Sequence, residues 1–542
     1  METTKPLLKH VLLVASPGWG HFRPLISIAC KIVHQRSDIK VTFTMTGDFE
    51  HKTKVEIDRY FKNDEEALKN NIRLLQLGDF NGLNVFQLIQ EYCKGFAKVY
   101  PAIYGEELVH CATGRVYSPT PKPSVIILDP FLYDMLQTVR KVSGRVVPVL
   151  AWNTTALNST LHFFGPESFG GLGNVSLKAE ILTKEIGKPV DDIIREFFNP
   201  EAGEVIELPG MPPMYDYEFN PQHEDVRNEK LFLGDYLTVF LGVLIRVPTL
   251  GLSKRLARYS RFFEESDGII ALGNASFDPE ACAAYKTWFA PRPAYIIGPL
   301  LPEEPSIDGQ LSESQTKELT ASPNGIEIRI FLDTVWKTYG DRSLLYISFG
   351  SHFWPHGEGV WKVIEVILEM KIPLILSFNS KDFEMPFQMQ KRLDSSDITI
   401  VSTWAPQHVI LGHPVTGWFM THCGNNSVTE SVSHGIPMIA WPLSADQPVN
   451  AAYMSSVLNI AYELFETRIG SGLRPLYRGI KPQGTLEAIE TEIRTVLQQA
   501  WGCDGARKRE NILKLKEKLN IAWNEDGEAR IEFLEFLKRF CS

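Results

Sequence analysis

The chain has 542 residues, 44% of them apolar and 22% charged, with a net charge of −10. That length holds two or more domains with sizeable cores, and the acidic balance argues against a general binder of nucleic acid or anionic membrane. Any phosphate ligand must be held by local donors, because the overall field repels it. Seven cysteines are scattered without a CxxC pair or a zinc spacing, as in a reducing compartment.

His10 to Ser16 reads as a buried strand, Pro17 to Gly20 as a glycine-rich loop, and Phe22 to His34 as a helix that admits Pro24 in its first turn. His21 falls in the loop between strand and helix. The short apolar run at the start suits a first strand better than a secretory signal. No stretch reaches the roughly 18 apolar residues of a membrane span. The expectation is a cytoplasmic protein without an integral membrane segment, in which five Asn-x-Ser/Thr matches (Asn153, Asn158, Asn174, Asn274, Asn425) are chance.

Further strands are expected at Val41 to Thr46, Ile72 to Leu77, Ser124 to Leu128 and Val146 to Trp152, with a mostly helical stretch from Leu83 to Tyr104. Asp129 stands at the C-terminal end of the fourth strand. Alternating strands and helices predict a doubly wound parallel sheet. From about 153 to 263 the pattern loosens into aromatic, glycine-rich and helical pieces, including the apolar run Leu231 to Leu244. This insertion reads either as a helical piece with its own small core or as the wall and lid of a pocket. Strands return at Gly268 to Asn274 and Ala294 to Pro299, and a polar tract over 301–325 reads as an exposed linker.

A second α/β series follows, with strands at Ser343 to Phe349, Pro373 to Phe378 and Ile398 to Thr403, and a charged helical region from about Ala506 to Phe540 closes the chain. Between them lies the most informative stretch, Trp404 to Gln447. The run Gly417 to Met420 predicts a strand ending at Thr421-His422-Cys423-Gly424, with Asn426 or Ser427 capping a helix that runs to His434 and Gly435. Pro437 to Trp441 predicts another strand, followed by Asp446-Gln447. His422, Gly424, Asn426 and Ser427 thus gather at a strand end and a helix start, where free N–H groups favour phosphate. Each residue alone would more often be a core or satisfied polar group. A plain core strand, however, has no need for so many polar side chains at its loop ends.

This segment resembles the nucleotide-sugar signature box of the UDP-glycosyltransferases (glycosyltransferase family 1), inverting enzymes of the GT-B fold. The match is to Trp-Ala-Pro-Gln, His-Cys-Gly-x-Asn-Ser-x-x-Glu and the closing Asp-Gln, in type and spacing. The resemblance, to the soluble plant, fungal and bacterial type, covers essentially the whole chain and implies an α/β architecture of two Rossmann-like halves facing across a cleft. The first, over 1–300, would bind the acceptor. The second, over 326–504, would bind the UDP-sugar. The helix over 505–542 would pack back on the first domain. It further implies that Trp404 stacks on uracil while the Ala405 backbone bonds the base edge. Gln407 and Glu430 would hold ribose hydroxyls, and His422, Asn426 and Ser427 the diphosphate. Asp446 and Gln447 would hold the transferred sugar. Gly424 belongs to the same turn, and Asn425 stands where the plant pattern has Trp, which leaves only a backbone contact to the sugar there.

Inverting transfer needs a base for the acceptor hydroxyl, and His titrates in the right range. His21, in Gly-His-x-x-Pro, matches the family's catalytic base, and Asp129 matches the carboxylate behind it. Taken by itself, Asp129 also reads as a helix cap ahead of Pro130. Ser348-Phe349-Gly350-Ser351 resembles the family's loop toward the phosphates, at Ser351. Gly20 would let the first loop approach the donor, and Thr154 would touch the sugar. Neither an Asp-x-Asp motif nor a covalent nucleophile is present, so no metal and no cofactor beyond the UDP-sugar co-substrate are expected. The resulting expectation is transfer of a hexose, with Gln447 favouring glucose, to a hydroxyl of a small apolar phenolic, terpenoid, sterol or lipid acceptor. The rivals are a UDP-sugar epimerase or hydrolase on the same frame and a non-catalytic UDP-sugar-binding subunit.

Overall fold

Two parallel sheets carry the fold of this computed structural model, which describes residues 9–80, 83, 85–111, 113–198, 202–223, 252–302, 311–350, 354–355, 357–378 and 385–542. In the first sheet the strands are β1 (Lys9–Val14), β2 (Ile39–Met45), β3 (Ile72–Gln76), β4 (Val125–Leu128), β5 (Val149–Asn153), β6 (Gly268–Ala271) and β7 (Ala294–Ile296). They lie in the order β7-β6-β5-β4-β1-β2-β3. The second sheet holds β8 (Leu344–Ser348), β9 (Leu374–Ser377), β10 (Thr399–Ser402), β11 (Thr416–Thr421), β12 (Met438–Ala440) and β13 (Ala461–Glu463), in the order β10-β9-β8-β11-β12-β13. Continuous apolar runs such as Val125-Ile126-Ile127-Leu128, buried throughout, form central strands because helices cover both faces of each sheet.

Each sheet reverses its strand order once, between β1 and β4 in the first and between β8 and β11 in the second. Such switch points open a crevice beyond the strands' C-terminal ends. The registers decide what meets there. Val14 pairs with Leu128, so the chain after β1 and Asp129 after β4 emerge side by side. Ser348 pairs with Thr421, which brings the turn at Gly350 beside His422.

The helices that matter for the crevice are α1 (Trp19–Gln35), α2 (Glu50–Asp58), α3 (Leu157–Phe164), α4 (Glu313–Ala321), α5 (Gln407–Gly412), α6 (Asn425–His434), α7 (Gln447–Ala452), α8 (Cys503–Asn520) and α9 (Glu528–Phe540). Three of them differ from expectation. Helix α1 begins at Trp19, so His21 is helical and Pro24 lies in the second turn. Helix α6 begins at Asn425 with Gly424 as its cap, because Cys423 at φ 63° turns the chain sharply after β11; neither Asn426 nor Ser427 is the cap. Within the polar tract read as a linker, Ser312 and Gln315 form a reciprocal cap that starts α4. Lys317 then clamps that helix to the end of α2, donating to Asp58 O at 2.9 Å and Phe61 O at 2.7 Å. Strand β13 is an addition to the expected set. The run Leu231 to Leu244 lies outside the described residues.

The closing helical region divides into α8, packed among the core of the second sheet, and α9, packed on the first. Phe533, Phe536 and Leu537 of α9 are buried there, with Phe536 against Tyr295 of β7 at 5.9 Å between ring centres. No helix among the described residues is long and apolar enough to cross a membrane. Removing the Phe536 ring leaves a cavity at this junction, so Phe536→Ala is expected to cost about 3–5 kcal/mol. Chemical denaturation followed by tryptophan fluorescence reads this, and an unmoved first transition would mean that α9 contributes no stability to the first sheet.

Candidate active site

The first turn of α1 is built around a missing donor. Pro24 has no N–H to give to the Gly20 carbonyl. Asn426 Nδ2, in the first turn of α6, donates to that carbonyl instead, at 2.9 Å. Two helix starts from opposite sheets are thereby docked, and a second link crosses nearby from α6 to the chain just past β5, Asn425 Nδ2 donating to Thr154 O at 2.9 Å.

His21 sits in this turn with its side chain 19% exposed. Its Nδ1–H donates to Asp129 Oδ2 at 2.7 Å, and Thr154 Oγ1 lies 3.5 Å from the same nitrogen. Its carbonyl accepts from Trp152 Nε1 at 3.2 Å, which ties the turn to β5. Asp129 is buried, and three groups use its two oxygens. Oδ2 also accepts from Ser16 N at 3.1 Å, while Oδ1 accepts from Phe131 N at 3.0 Å. The two readings of Asp129, cap and histidine partner, are both realised. With Nδ1 protonated toward a carboxylate, the other ring nitrogen carries the lone pair. Asp134, one turn on, is exposed and paired with Arg258 at 3.1 Å.

Two cavities meet at His21. The larger, about 560 Å³, is lined by most of the residues singled out in the sequence, among them Gly20, Trp404, Gln407, His422, Asn425 and Asp446. Ala405, Gly424, Asn426, Ser427, Glu430, Gln447 and Thr154 also border it. Ser351 lies outside the described residues, but Gly350 before it borders the cavity. The smaller, about 30 Å³, is walled by Phe131, Phe163, Phe164 and Phe263, and shares His21, Thr154 and Asp446 with the first.

Around the larger cavity each side chain has a traceable hold. The His422 ring is flanked by two glycines. A Cβ at Gly350 (φ 80°) would fall 2.8 Å from its Cε1 and one at Gly424 2.7 Å from its Nε2, so both turns must be bare for the ring to lie there. Asp446 Oδ2 accepts from Asn425 N at 3.1 Å and Asn450 Nδ2 at 3.3 Å. Burial pushes the Asp446 carboxyl up, against the pull of those bonds. Gln447 Oε1 is taken by Leu443 N and Ser444 N at 2.8 and 3.0 Å, which leaves its amide hydrogens as the group it can turn to a ligand. Glu430 is 1% exposed and accepts from Gln407 Nε2, and Gln407 Oε1 accepts from the Tyr346 hydroxyl at 3.0 Å. Trp404 meets Trp19 edge-on at 6.4 Å, and the Lys52 ammonium lies 4.2 Å from its ring centre.

Sequence reasoning missed the cationic side of this cavity. Arg23 of α1 pairs with Glu430, and its Nε lies 3.9 Å from Glu56 of α2. Burial opposes the Arg23 charge, but Glu430 and Glu56 outweigh it and raise its pKa. Arg59, just past α2, pairs with Glu56 at 3.1 Å and reaches Glu318 of α4 at 3.8 Å. Glu318 in turn accepts from His408 N and Val409 N, at 3.4 and 3.3 Å, at the start of α5. The one available sequence signal was Arg23 itself, between His21 and Pro24.

A family model described as "UDP-glucoronosyl and UDP-glucosyl transferase" matches residues 316–471. Among curated relatives, the UDP-glycosyltransferase eriJ of Hericium erinaceus is 25% identical, over 98% of this chain and 99% of its own. The hydroquinone glucosyltransferase of Rauvolfia serpentina is 24% identical, over 96% and 95%. Among solved structures, Phytolacca americana UGT2, complexed with UDP-2fluoro-glucose and pterostilbene, has a TM-score of 0.64 at 18% identity, covering 98% of this chain and all of that one. A Polygonum tinctorium UDP-glucosyltransferase capable of glucosylating indoxyl, in complex with 3,4-dichloroaniline, has a TM-score of 0.64 at 20% identity, each chain covered in full. Residues 316–471 thus resemble the UDP-glycosyltransferases, whose members transfer a sugar from a UDP-sugar, relatives of that kind align along the whole chain, and the paired parallel sheets with a cleft between their switch points are the GT-B fold.

Proposed function

We propose that the protein is an inverting glucosyltransferase in which His21, assisted by Asp129, deprotonates a hydroxyl of a small apolar acceptor. The observation that carries this reading is the place of His21, at the junction of the two cavities with Nδ1 held by Asp129. At about 30 Å³ the aromatic cavity must widen to admit an acceptor; an acceptor seated against its phenylalanines would present its hydroxyl to the other ring nitrogen, with the donor's anomeric carbon on the far side. As the proton moves to the ring, the buried carboxylate stabilises the imidazolium that forms. The same pairing fixes the tautomer before the acceptor arrives, which removes an orientational cost from the reaction.

On the donor side, Trp404 and Ala405 are assigned to uracil, and Gln407 and Glu430 to ribose. His422, Asn426, Ser427 and the turn toward Ser351 are assigned to the diphosphate. Asn425 N at the start of α6 is taken by Asp446; the next N–H groups have no acceptor inside the helix, and its first turn carries no acidic side chain of its own, which favours an anion at Asn426 and Ser427. Leaving-group charge is met by these donors, and we assign no metal to the transfer step. Asp446 and Gln447 are assigned to the sugar. Asn425 adds its backbone and, through the carboxamide bonded to Thr154 O, fills part of the place of a larger side chain. Glucose is the sugar we propose, on the strength of Gln447. The phenylalanine walls favour an aromatic, terpenoid or hydroxylated lipid acceptor. All seven cysteines are free, in keeping with the reducing cytoplasm where we place the protein.

Release of UDP from UDP-glucose, with and without phenols, sterols and hydroxy fatty acids and in the presence of EDTA, tests the reading. Turnover that needs an acceptor and survives EDTA is expected; turnover without any acceptor would favour an epimerase or hydrolase. His21→Ala is expected to lower kcat by roughly 10²- to 10⁴-fold while UDP affinity stays within about twofold, and equal rates would remove His21 as the base. Asp129→Asn keeps an oxygen for Phe131 N but turns its amide toward Ser16 N, so a stability loss of about 1–3 kcal/mol is expected, and in the folded protein kcat should fall by about 10²- to 10⁴-fold. An undiminished kcat would leave Asp129 a capping residue only. His422→Ala is expected to weaken UDP binding about tenfold or more, read by calorimetry, and an unchanged Kd would count against its phosphate role.

A further inference from the structure

We propose that Arg23 is a positioning residue for the donor's ribose: it reaches across the cleft from α1 and holds the Glu430 carboxylate of α6 in the orientation that accepts the ribose hydroxyls. The inference rests on the assignment of Glu430 to ribose made above. It adds a residue that stands outside the signature box and 407 positions from its partner.

Glu430 is almost fully buried, and a buried carboxylate without partners is costly. One of its oxygens pairs with Arg23 and the other accepts from Gln407 Nε2, which the Tyr346 hydroxyl holds from behind. A carboxylate offers about four lone-pair sites, so these two contacts fix its plane and leave room for two hydroxyl donors. Arg23 is fixed in its turn. Glu56 lies on its other side, and Arg59 and Glu318 continue an alternation of sign that runs Glu430, Arg23, Glu56, Arg59, Glu318. The two arginines belong to the first sheet's helical layer and the outer glutamates to α6 and α4. The ladder therefore spans the cleft at the nucleoside end of the larger cavity.

Helix α1 gives this ladder a consequence for chemistry. His21 and Arg23 stand two residues apart on one helix, one held by Asp129 and the other by Glu430. The carboxylate that receives the ribose is thus anchored to the helix that carries the base. Nucleoside position and base position share one register, set across the cleft.

The experiment compares affinities for UDP and 2′-deoxy-UDP by calorimetry in the unaltered protein, Arg23→Met, Arg23→Lys and Glu430→Gln. Each ratio is taken within one protein, so a loss of folded fraction does not move it. The unaltered protein is expected to prefer UDP by about tenfold or more, as for a hydrogen bond to a charged group. The preference should fall to about twofold in both Arg23→Met and Glu430→Gln, with Arg23→Lys, which keeps the charge but not the fork, between them. A full preference in Arg23→Met beside a lost one in Glu430→Gln would overturn the role of Arg23 and leave the ribose assignment standing. A full preference in Glu430→Gln would overturn the ribose assignment, and the proposal with it. Tighter UDP binding by Arg23→Met would show that Arg23 competes with the ribose, which also overturns the proposal.

Discussion

The site depends on one docking contact, the first turn of α1 against the first turn of α6. Helix α1 carries His21 from the first sheet, and α6 carries Asn425, Asn426, Ser427 and Glu430 from the second. Chemistry between two sheets needs a fixed distance between them, since a displacement of about an ångström can cost orders of magnitude in rate. The distance is set by a proline. Pro24 leaves the Gly20 carbonyl without its helical donor, and a carbonyl at this half-buried joint needs another. The Asn426 amide supplies it at 2.9 Å. An ordinary residue at position 24 would satisfy one lone pair of the Gly20 carbonyl internally and so weaken its hold on the Asn426 amide.

Much of this was legible before any coordinates, and what was hidden has a common cause. Buried parallel strands announce themselves as apolar runs, so Val125 to Leu128 and the strand ending at Thr421 were found within a residue or two. His21 and Asp129 stood out because they follow such runs. The start of α1 was misplaced because proline favours a helix's first turn, whereas here the vacant bond of a second-turn proline is used by a residue about 400 positions away. Helix α4 hid in a polar tract whose composition is that of a linker, although Ser312 and Gln315 spell its cap. Strand β13 is three residues long and ends in Glu463, a poor strand signature. Glu463 is buried only because Arg468 and Arg478 reach it at 2.9 and 2.7 Å. Arg23, likewise, means nothing until Glu430 is beside it. Pair interactions across hundreds of residues leave no periodicity to read.

Asp129 illustrates how a structural role and the chemical role proposed for it fit one side chain. As a cap it bonds Phe131 N and starts the turn over Pro130 to Leu132, and through Ser16 N it ties the ends of β4 and β1 together. Those bonds hold the carboxylate still and buried, which is the condition for it to orient an imidazole. The rigidity comes from the cap, and the chemistry proposed for His21 would use it.

The charge around the cavity bears on where a diphosphate can lie. Arg23, Lys52 and Arg59 bring positive charge to a chain whose overall field is negative. Two of the three are already matched in the ladder, by Glu56, Glu318 and Glu430, so the ladder as a whole carries one negative charge more than it neutralises. Lys52 lies over the Trp404 ring, and burial lowers its hold on its proton. None of these side chains offers an unmatched positive field at the sugar end of the cavity. What remains there is the start of α6, free of acidic residues in its first turn, with the His422 ring set between Gly350 and Gly424. Helix-end electrostatics act over about one turn, so an anion held this way must sit against Gly424 to Ser427. That is the same turn that docks on α1, and a diphosphate held there, as proposed, would lie within the register of the Gly20–Asn426 contact.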